Sequence, residues 1–248
     1  MTDNWKPYLC NVNNKLASIL VNLELRQAVP IESKPWLLWV WVYFQLPRPD
    51  GLSDSKEAPM LYKIEDALTP ALASECRAIL SGRITTDGRR EFYFYGETRD
   101  GFRNAVRHVL KDFGGYQFDI GEQEDSSWNQ YLNVLYPSPE NFERISNMDL
   151  LDRLAEKGDV LTVPREVHHW VYFGSESSRS LFRDSVLTEG FRVESEFDRD
   201  SPLQFGISIA RTQSIEQRII DETVIYLFRL AQSFGGEYTG WETPVVRQ

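Results

Sequence analysis

Cysteine, histidine and methionine are scarce in this chain, with two, three and three copies among 248 residues. Cys10 and Cys76 lie far apart, which excludes a disulfide framework and a zinc-type spacing, so a reducing cytoplasm is the expected compartment. Cys76 falls on an apolar helical stripe as a small buried hydrophobe, whereas Cys10 sits in a polar lead segment. His168 and His169 are neighbours on a strand-like stretch and send their side chains to opposite faces. His108, in a helical stretch, has no Glu-x-x-His context. No metal site, cofactor or catalytic set is expected from these residues. Gly-x-x-x-x-Gly-Lys and Gly-x-Gly-x-x-Gly are both missing, which removes the common phosphate loops. Long apolar runs are missing as well. Trp36 to Phe44 is the longest, far below the roughly 20 residues of a membrane helix. The opening Met-Thr-Asp-Asn-Trp-Lys-Pro lacks a basic stretch followed by an apolar one, so no export signal is expected and the chain is expected to be soluble.

Positive charge is the other shortage. Lys and Arg number 27 against 37 Asp and Glu, a formal net charge of −10. Such a surface repels a phosphate backbone and suits basic protein partners. What the chain has in quantity is aromatic side chains, 13% of residues within a 42% hydrophobic share, enough for packed cores.

Pro137-Ser-Pro139, after a strand-like Tyr131 to Tyr136, marks a boundary. It predicts a first domain over 1–137, a linker over 138–147 and a second domain over 148–248. In the second domain a short helix, Met148 to Lys157, stops at Gly158. A strand over Val167 to Phe173 follows, then a helix opened by Ser175 or Ser177. Phe191 to Phe197 alternates, with Phe191, Val193 and Phe197 on one face and Arg192, Glu194 and Glu196 on the other. The next strand carries Leu203, Phe205, Ile207 and Ile209. Ser214 and Gln217 have capping-box spacing before a helix striped by Ile220, Val224, Leu227, Ala231 and Phe234. Gly235-Gly236 ends it, and Glu237 to Thr243 is the last strand. The order is βαββαβ, the α+β ferredoxin-like sandwich with an antiparallel sheet. The first domain repeats it: strand 36–46, helix 64–80, a hairpin about Asp87-Gly88, a helix from Thr98, and strand 116–120. Phe113-Gly114-Gly115 mirrors Phe234-Gly235-Gly236, so two related sandwiches in tandem are expected, although a competing frame aligns Tyr95-Gly96 with Phe173-Gly174.

Residues from about 148 to 246 carry Leu151-x-x-Leu154-x-x-x-Gly158-Asp159, the strand around His169, Gly190-Phe191-x-Val193, a long helix, and Glu237-Tyr238-x-Gly240-Trp241. In this order and spacing they resemble the bacterial family called regulator of ribonuclease activity B. The resemblance implies a ferredoxin-like domain that binds the endonuclease ribonuclease E and lowers its activity. The stretch from about Trp36 to Pro137 is similar to an uncharacterised bacterial domain family that often precedes this module and has no known activity.

Helices cover one face of such a sheet and leave the other open. On the first strand of domain one, Trp36, Leu38, Val40, Val42 and Phe44 form one face, and Trp39, Trp41 and Tyr43 form the other, joined by Tyr93 and Tyr95. Trp170 and Tyr172 take the corresponding place in domain two, with Glu194 and Glu196 nearby. Tyr238 and Trp241 are interface anchors or core rings, since tryptophan and tyrosine dominate binding hot spots. The partner-binding candidates are therefore Trp39, Trp41, Trp170, Tyr172, Glu194, Glu196, Tyr238 and Trp241. They point to a non-enzymatic regulatory protein that binds and inhibits an RNA-processing enzyme, ribonuclease E or similar, through acidic and aromatic surfaces. The alternative is a single-stranded RNA-binding module that stacks bases on the open aromatic faces. Arg83, Arg89 and Arg90 are the only cationic cluster near them, which disfavours that alternative.

Overall fold

The computed structural model describes residues 3–247. The chain divides into two compact units, Met1–Asn141 and Phe142–Gln248.

In the first unit the strands β1 (Trp5–Val12), β2 (Lys15–Asn22) and β3 (Trp36–Tyr43) precede helix α1 (Ala58–Cys76). Then come β4 (Ile79–Thr86), β5 (Arg89–Gly96), helix α2 (Phe102–Leu110) and β6 (Phe118–Glu124). The sheet order is β1-β2-β4-β5-β3-β6, antiparallel throughout. From β3 onward this is βαββαβ with its first strand between its third and fourth, the ferredoxin-like arrangement. The β1–β2 hairpin extends it past β4, so Cys10 lies in a strand and not in a lead segment. Local chemistry explains the elements. Leu61, Ile64, Leu68, Leu72 and Cys76 recur every three or four residues along α1 and are all fully buried. The thiol of Cys76 is pushed up to about 11, first by burial and then by Glu75 and Asp100. Asp87 and Gly88 turn the β4–β5 hairpin with φ of 48° and 78°, the double positive φ that a tight two-residue turn requires. Ile79, expected on the helix, is the first residue of β4.

Helix α3 (Pro139–Glu156), most of which belongs to the second unit, opens inside the stretch expected to be a linker and starts well before Met148. After it come β7 (Arg165–Phe173), α4 (Glu176–Thr188), β8 (Arg192–Asp198), β9 (Phe205–Gln213), α5 (Gln217–Ser233) and β10 (Gly236–Glu242). The sheet order β10-β7-β9-β8 is again ferredoxin-like and antiparallel. Ser175 caps α4, its hydroxyl accepting from the Ser178 amide at 3.2 Å. The Ser214–Gln217 capping box does not form: Glu216 holds the cap position without a side-chain bond, and the Ser214 hydroxyl donates to its carboxylate instead. Val167, Val171, Phe173, Ile207 and Ile209 of the sheet meet Phe182, Val186, Ile220, Val224 and Leu227 of the helices in one core. The glycine pairs differ in detail: the left-handed residue is the second of Gly114-Gly115 but the first of Gly235-Gly236. Among the described residues no helix is long and apolar enough to cross a membrane.

Candidate functional site

The period of two sets the faces of β7. Val167, His169, Val171 and Phe173 are fully buried on the helix side, while Glu166, His168, Trp170 and Tyr172 alternate on the other. The central strand β9 faces that open side with Gly206, Ser208 and Ala210, opposite Tyr172, Trp170 and His168. These small residues leave a trough across which side chains of β7 and β8 meet. Phe197 packs its edge on Tyr172, ring centroids 5.8 Å apart, directly over Gly206. A Cβ on Gly206 would come within 2.4 Å of the Phe197 ring, so only glycine fits beneath it. His168 Nδ1 and Glu194 Oε2 approach to 2.5 Å, with Ala210 between their strands. The Arg199 guanidinium lies 3.5 Å from the centre of the Tyr172 ring. Glu237 and Glu242 of β10 are exposed opposite Tyr172 and His168.

A shift in the β8–β9 register between Val193 and Ser195 redistributes β8. Strict alternation would keep Phe197 with Phe191 and Val193, and Glu194 with Glu196. The bulge instead leaves Glu194 on the open side, brings Phe197 to it and turns Glu196 to the helix side. Glu196 pairs with Arg179 and Arg183 of α4 at 3.4 and 3.2 Å, and Asp198 also pairs with Arg179. Glu196 therefore does not join Glu194 on the face with Trp170 and Tyr172. Glu194 is held below the usual carboxylate range, first by the His168 hydrogen bond and then, against burial, by Arg192.

Tyr238 and Trp241 sit on the helix side of β10. Tyr238 is 5% exposed, and its hydroxyl lies 2.9 Å from His169 Nδ1. Trp241 is half-buried against the core and donates from Nε1 to Asn147 Oδ1 at 2.8 Å. Asn147 in turn donates to the buried Asp221. Both rings are bonded into the core and stand apart from Trp170 and Tyr172.

His169 is fully buried, and burial, followed by the Arg211 and His168 charges, pushes its imidazole down to about 3. The unfolded chain takes this proton below about pH 6.5 and the folded unit does not, so stability falls as pH drops from there toward 3. Urea unfolding of His169→Gln should show a shallower loss than wild type in that window. The difference should approach one proton, about 1.4 kcal/mol per pH unit. Parallel curves would show that His169 protonates without unfolding.

In the first unit the helix-free face carries Trp39, Trp41 and Tyr43 of β3, opposite Tyr93, Glu91 and Arg89 of β5. Trp39 lies over Gly121, where a Cβ would stand 2.1 Å from its ring. Arg89 covers Trp41 at 4.5 Å and donates to Glu91 at 2.6 Å, and the Tyr43 hydroxyl donates to Asp119 at 2.6 Å. The chain itself roofs the other part of this face. Trp128 stacks on Tyr95 at 3.8 Å, and a π-helical turn, Tyr131–Leu135, follows where a strand was expected. Its Leu135 carbonyl accepts from Tyr8 at 2.9 Å, and Tyr131 donates to the Asn22 carbonyl at 2.9 Å. Trp39, Trp41 and Tyr43 are left half-buried. A groove of about 780 Å³ in this unit is lined by Trp5, Leu25, Ile31, Pro70 and Leu80 without a histidine or cysteine.

Sequence reasoning missed Phe197, Arg199, Glu237 and Glu242 on the second open face, and the gathering of Glu166 and Glu194 around His168. The small-residue alternation Gly206, Ser208, Ala210 was the available signal for the trough; the bulge left none.

No curated protein matches the chain. Among solved structures it is similar to an unknown protein from Galdieria sulphuraria, at 12% identity and a TM-score of 0.23, covering 86% of this chain and 99% of that one. A second, provisionally described as a glycine cleavage system transcriptional repressor, has 10% identity and a TM-score of 0.25, covering 84% and 98%. Likeness at that level does not establish a shared fold, and the two ferredoxin-like sheets rest on the strand orders above. Over residues 144–243 the chain matches the family model for regulator of ribonuclease activity B. Over residues 3–136, more than half its length, it matches the family of unknown function DUF695, and the chain belongs to that family.

Proposed function

We propose that the second unit docks on an RNA-processing endonuclease of the ribonuclease E kind and lowers its activity, without chemistry of its own. The observation that carries this is the open sheet face, set in a segment that matches a family of ribonuclease regulators. Trp170, Tyr172 and Phe197 form its apolar centre, and Glu166, Glu194, Glu237 and Glu242 surround them. Aromatic rings in the middle of a polar rim are the composition of a binding hot spot. Carboxylates on that rim favour a basic partner, such as the surface with which a nuclease holds phosphate. Trp39 and Trp41 are a second proposed contact, on the first unit. Tyr238, Trp241 and Glu196 would act on the interface only by holding the sheet and helices in place.

The test uses the purified full chain and a ribonuclease E-type enzyme cleaving a short single-stranded RNA. The chain should slow cleavage saturably. The double variant Trp170→Ala/Tyr172→Ala should lose about 2 kcal/mol or more of binding, roughly thirtyfold in half-inhibiting concentration. Glu196→Gln, on the helix side, should leave inhibition unchanged. No inhibition at saturating protein ends this proposal. A gel shift of the same RNA by the chain alone, lost in the double variant, would put base stacking in its place.

A further inference from the structure

The ligand-bearing atoms of Glu166, His168 and Glu194 all lie within 4.8 Å of one another on the open face of the second unit. Three elements bring them there: alternation along β7 puts Glu166 and His168 on one side, alternation at the start of β8 puts Glu194 on the same side as Arg192, and Ala210 between the strands is too small to separate them. One imidazole nitrogen and two carboxylate oxygens make a mixed donor set of the kind taken by zinc, cobalt and nickel, and two of the three residues are exposed. Atoms bound to one such ion at about 2.0–2.2 Å in tetrahedral geometry are about 3.3–3.6 Å apart, so the widest pair closes by roughly an ångström, within the rotamer freedom of solvent-facing side chains. A cation already bridges these carboxylates. The Arg192 guanidinium lies 2.6 Å from Glu166 and 2.8 Å from Glu194. We propose that Glu166, His168 and Glu194 form a site for a divalent transition-metal ion, with Arg192 as the side chain that the ion displaces.

Occupancy has an electrostatic consequence. Two carboxylates and one guanidinium leave this corner of the face with one net negative charge, and a divalent ion in place of the guanidinium makes it neutral. The site stands on the geometry alone and does not depend on docking to a nuclease.

Trp170 supplies the probe, because its ring centre is 6.4 Å from that of His168. Full-length, tag-free protein stripped with chelator is titrated with nickel and followed by tryptophan fluorescence, with zinc titrated separately by calorimetry. The expected result is a saturable partial quench, reversed by chelator and missing in Trp170→Phe, and one zinc bound per chain. Losing a ligand should cost at least as much as losing an outer-sphere partner, about 10- to 100-fold, in His168→Ala and in Glu194→Gln. Arg192→Ala should bind several-fold more tightly. No saturable binding to wild type, or equal binding by His168→Ala, overturns the site. Weaker binding by Arg192→Ala overturns the part assigned to the arginine. All these positions face solvent at least in part, so a circular dichroism spectrum matching wild type confirms that the variants fold.

Discussion

Replacing Asp159 with alanine is expected to destabilise the second unit by about 3–5 kcal/mol, the usual cost of removing one partner from a buried ion pair. The Asp159 side chain has no exposure and that of Arg165 has 3%. Arg165 Nη1 donates to both carboxylate oxygens at 2.7 and 2.6 Å and also to the Pro244 carbonyl, while Nε and Nη2 donate to the Val163 and Val160 carbonyls. Asp159 also accepts from the Val246 amide at 2.8 Å, which ties residues 244–246 to the loop before β7. Without the carboxylate, the guanidinium stays buried among carbonyls with no counter-charge. Chemical denaturation of the full chain should therefore show the second unit melting at much lower denaturant. Hydrogen exchange at Val246 should accelerate beyond that global effect. Asp159→Leu combined with Arg165→Met should recover much of the loss, because well-packed apolar residues can replace a buried pair at little cost. A loss under about 1 kcal/mol for the alanine variant would mean that water reaches the pair.

This pair gives physical content to one of the motifs that carry the family resemblance. In Leu151-x-x-Leu154-x-x-x-Gly158-Asp159 the two leucines enter the core, Gly158 adopts a φ of 78° where the chain leaves α3, and Asp159 anchors Arg165. Tyr238 and Trp241 of the last motif are likewise bonded into the core through His169 and Asn147. The motifs that make the family recognisable thus hold the fold. The proposed docking face is drawn from the alternate, outward positions of the same strands, Trp170 and Tyr172 beside His169 and Glu237 beside Tyr238.

The same division decides what could be read from the sequence. Alternation in β3, β7 and β9 and the stripes of α1 and α5 are enforced by burial on one face, so the order of elements was legible. The hairpin at Asp87-Gly88 was legible because few other residues adopt that pair of φ values. The β1–β2 hairpin uses Asn13 and Asn14, at φ of 50° and 61°, for a similar turn, and Asn-Asn was its only local sign. Tyr131–Leu135 alternates like a strand, yet tertiary packing over β2 and β4 makes it helical. The site was half legible. Trp170, Tyr172 and Glu194 follow from the period of their strands, but Glu196 and Phe197 depend on a bulge, which shifts every later side chain to the other face.

Trp128→Ala should be the most damaging tryptophan substitution in the first unit, costing about 3–5 kcal/mol, while Trp41→Ala should cost about 1. Both residues serve the same face of one sheet, but in different ways. Trp128 is fully buried, parallel to Tyr95 within 5° and edge-on to Tyr131 at 6.1 Å. It holds that position at a φ of 58°, a conformation unfavourable for a bulky residue, which persists only where packing outweighs the strain. Around it, Tyr95 donates to Asp125 at 2.6 Å, and Asp125 accepts from the amides of Asn129 and Gln130. Removing the indole opens a cavity under this turn and leaves the roof over the sheet without its main contact. Trp41 is half-buried, with Arg89 laid across it, so its loss removes one cation–π contact and some apolar burial. Denaturation midpoints of the two variants give the ranking directly. If Trp41→Ala proved the more destabilising, Trp41 would be a core ring and the proposed contact on the first unit would fall. The expected ranking leaves Trp39 and Trp41 as the part of this face outside the roof, with Arg89 laid across Trp41, while Trp128 is confined to holding the roof.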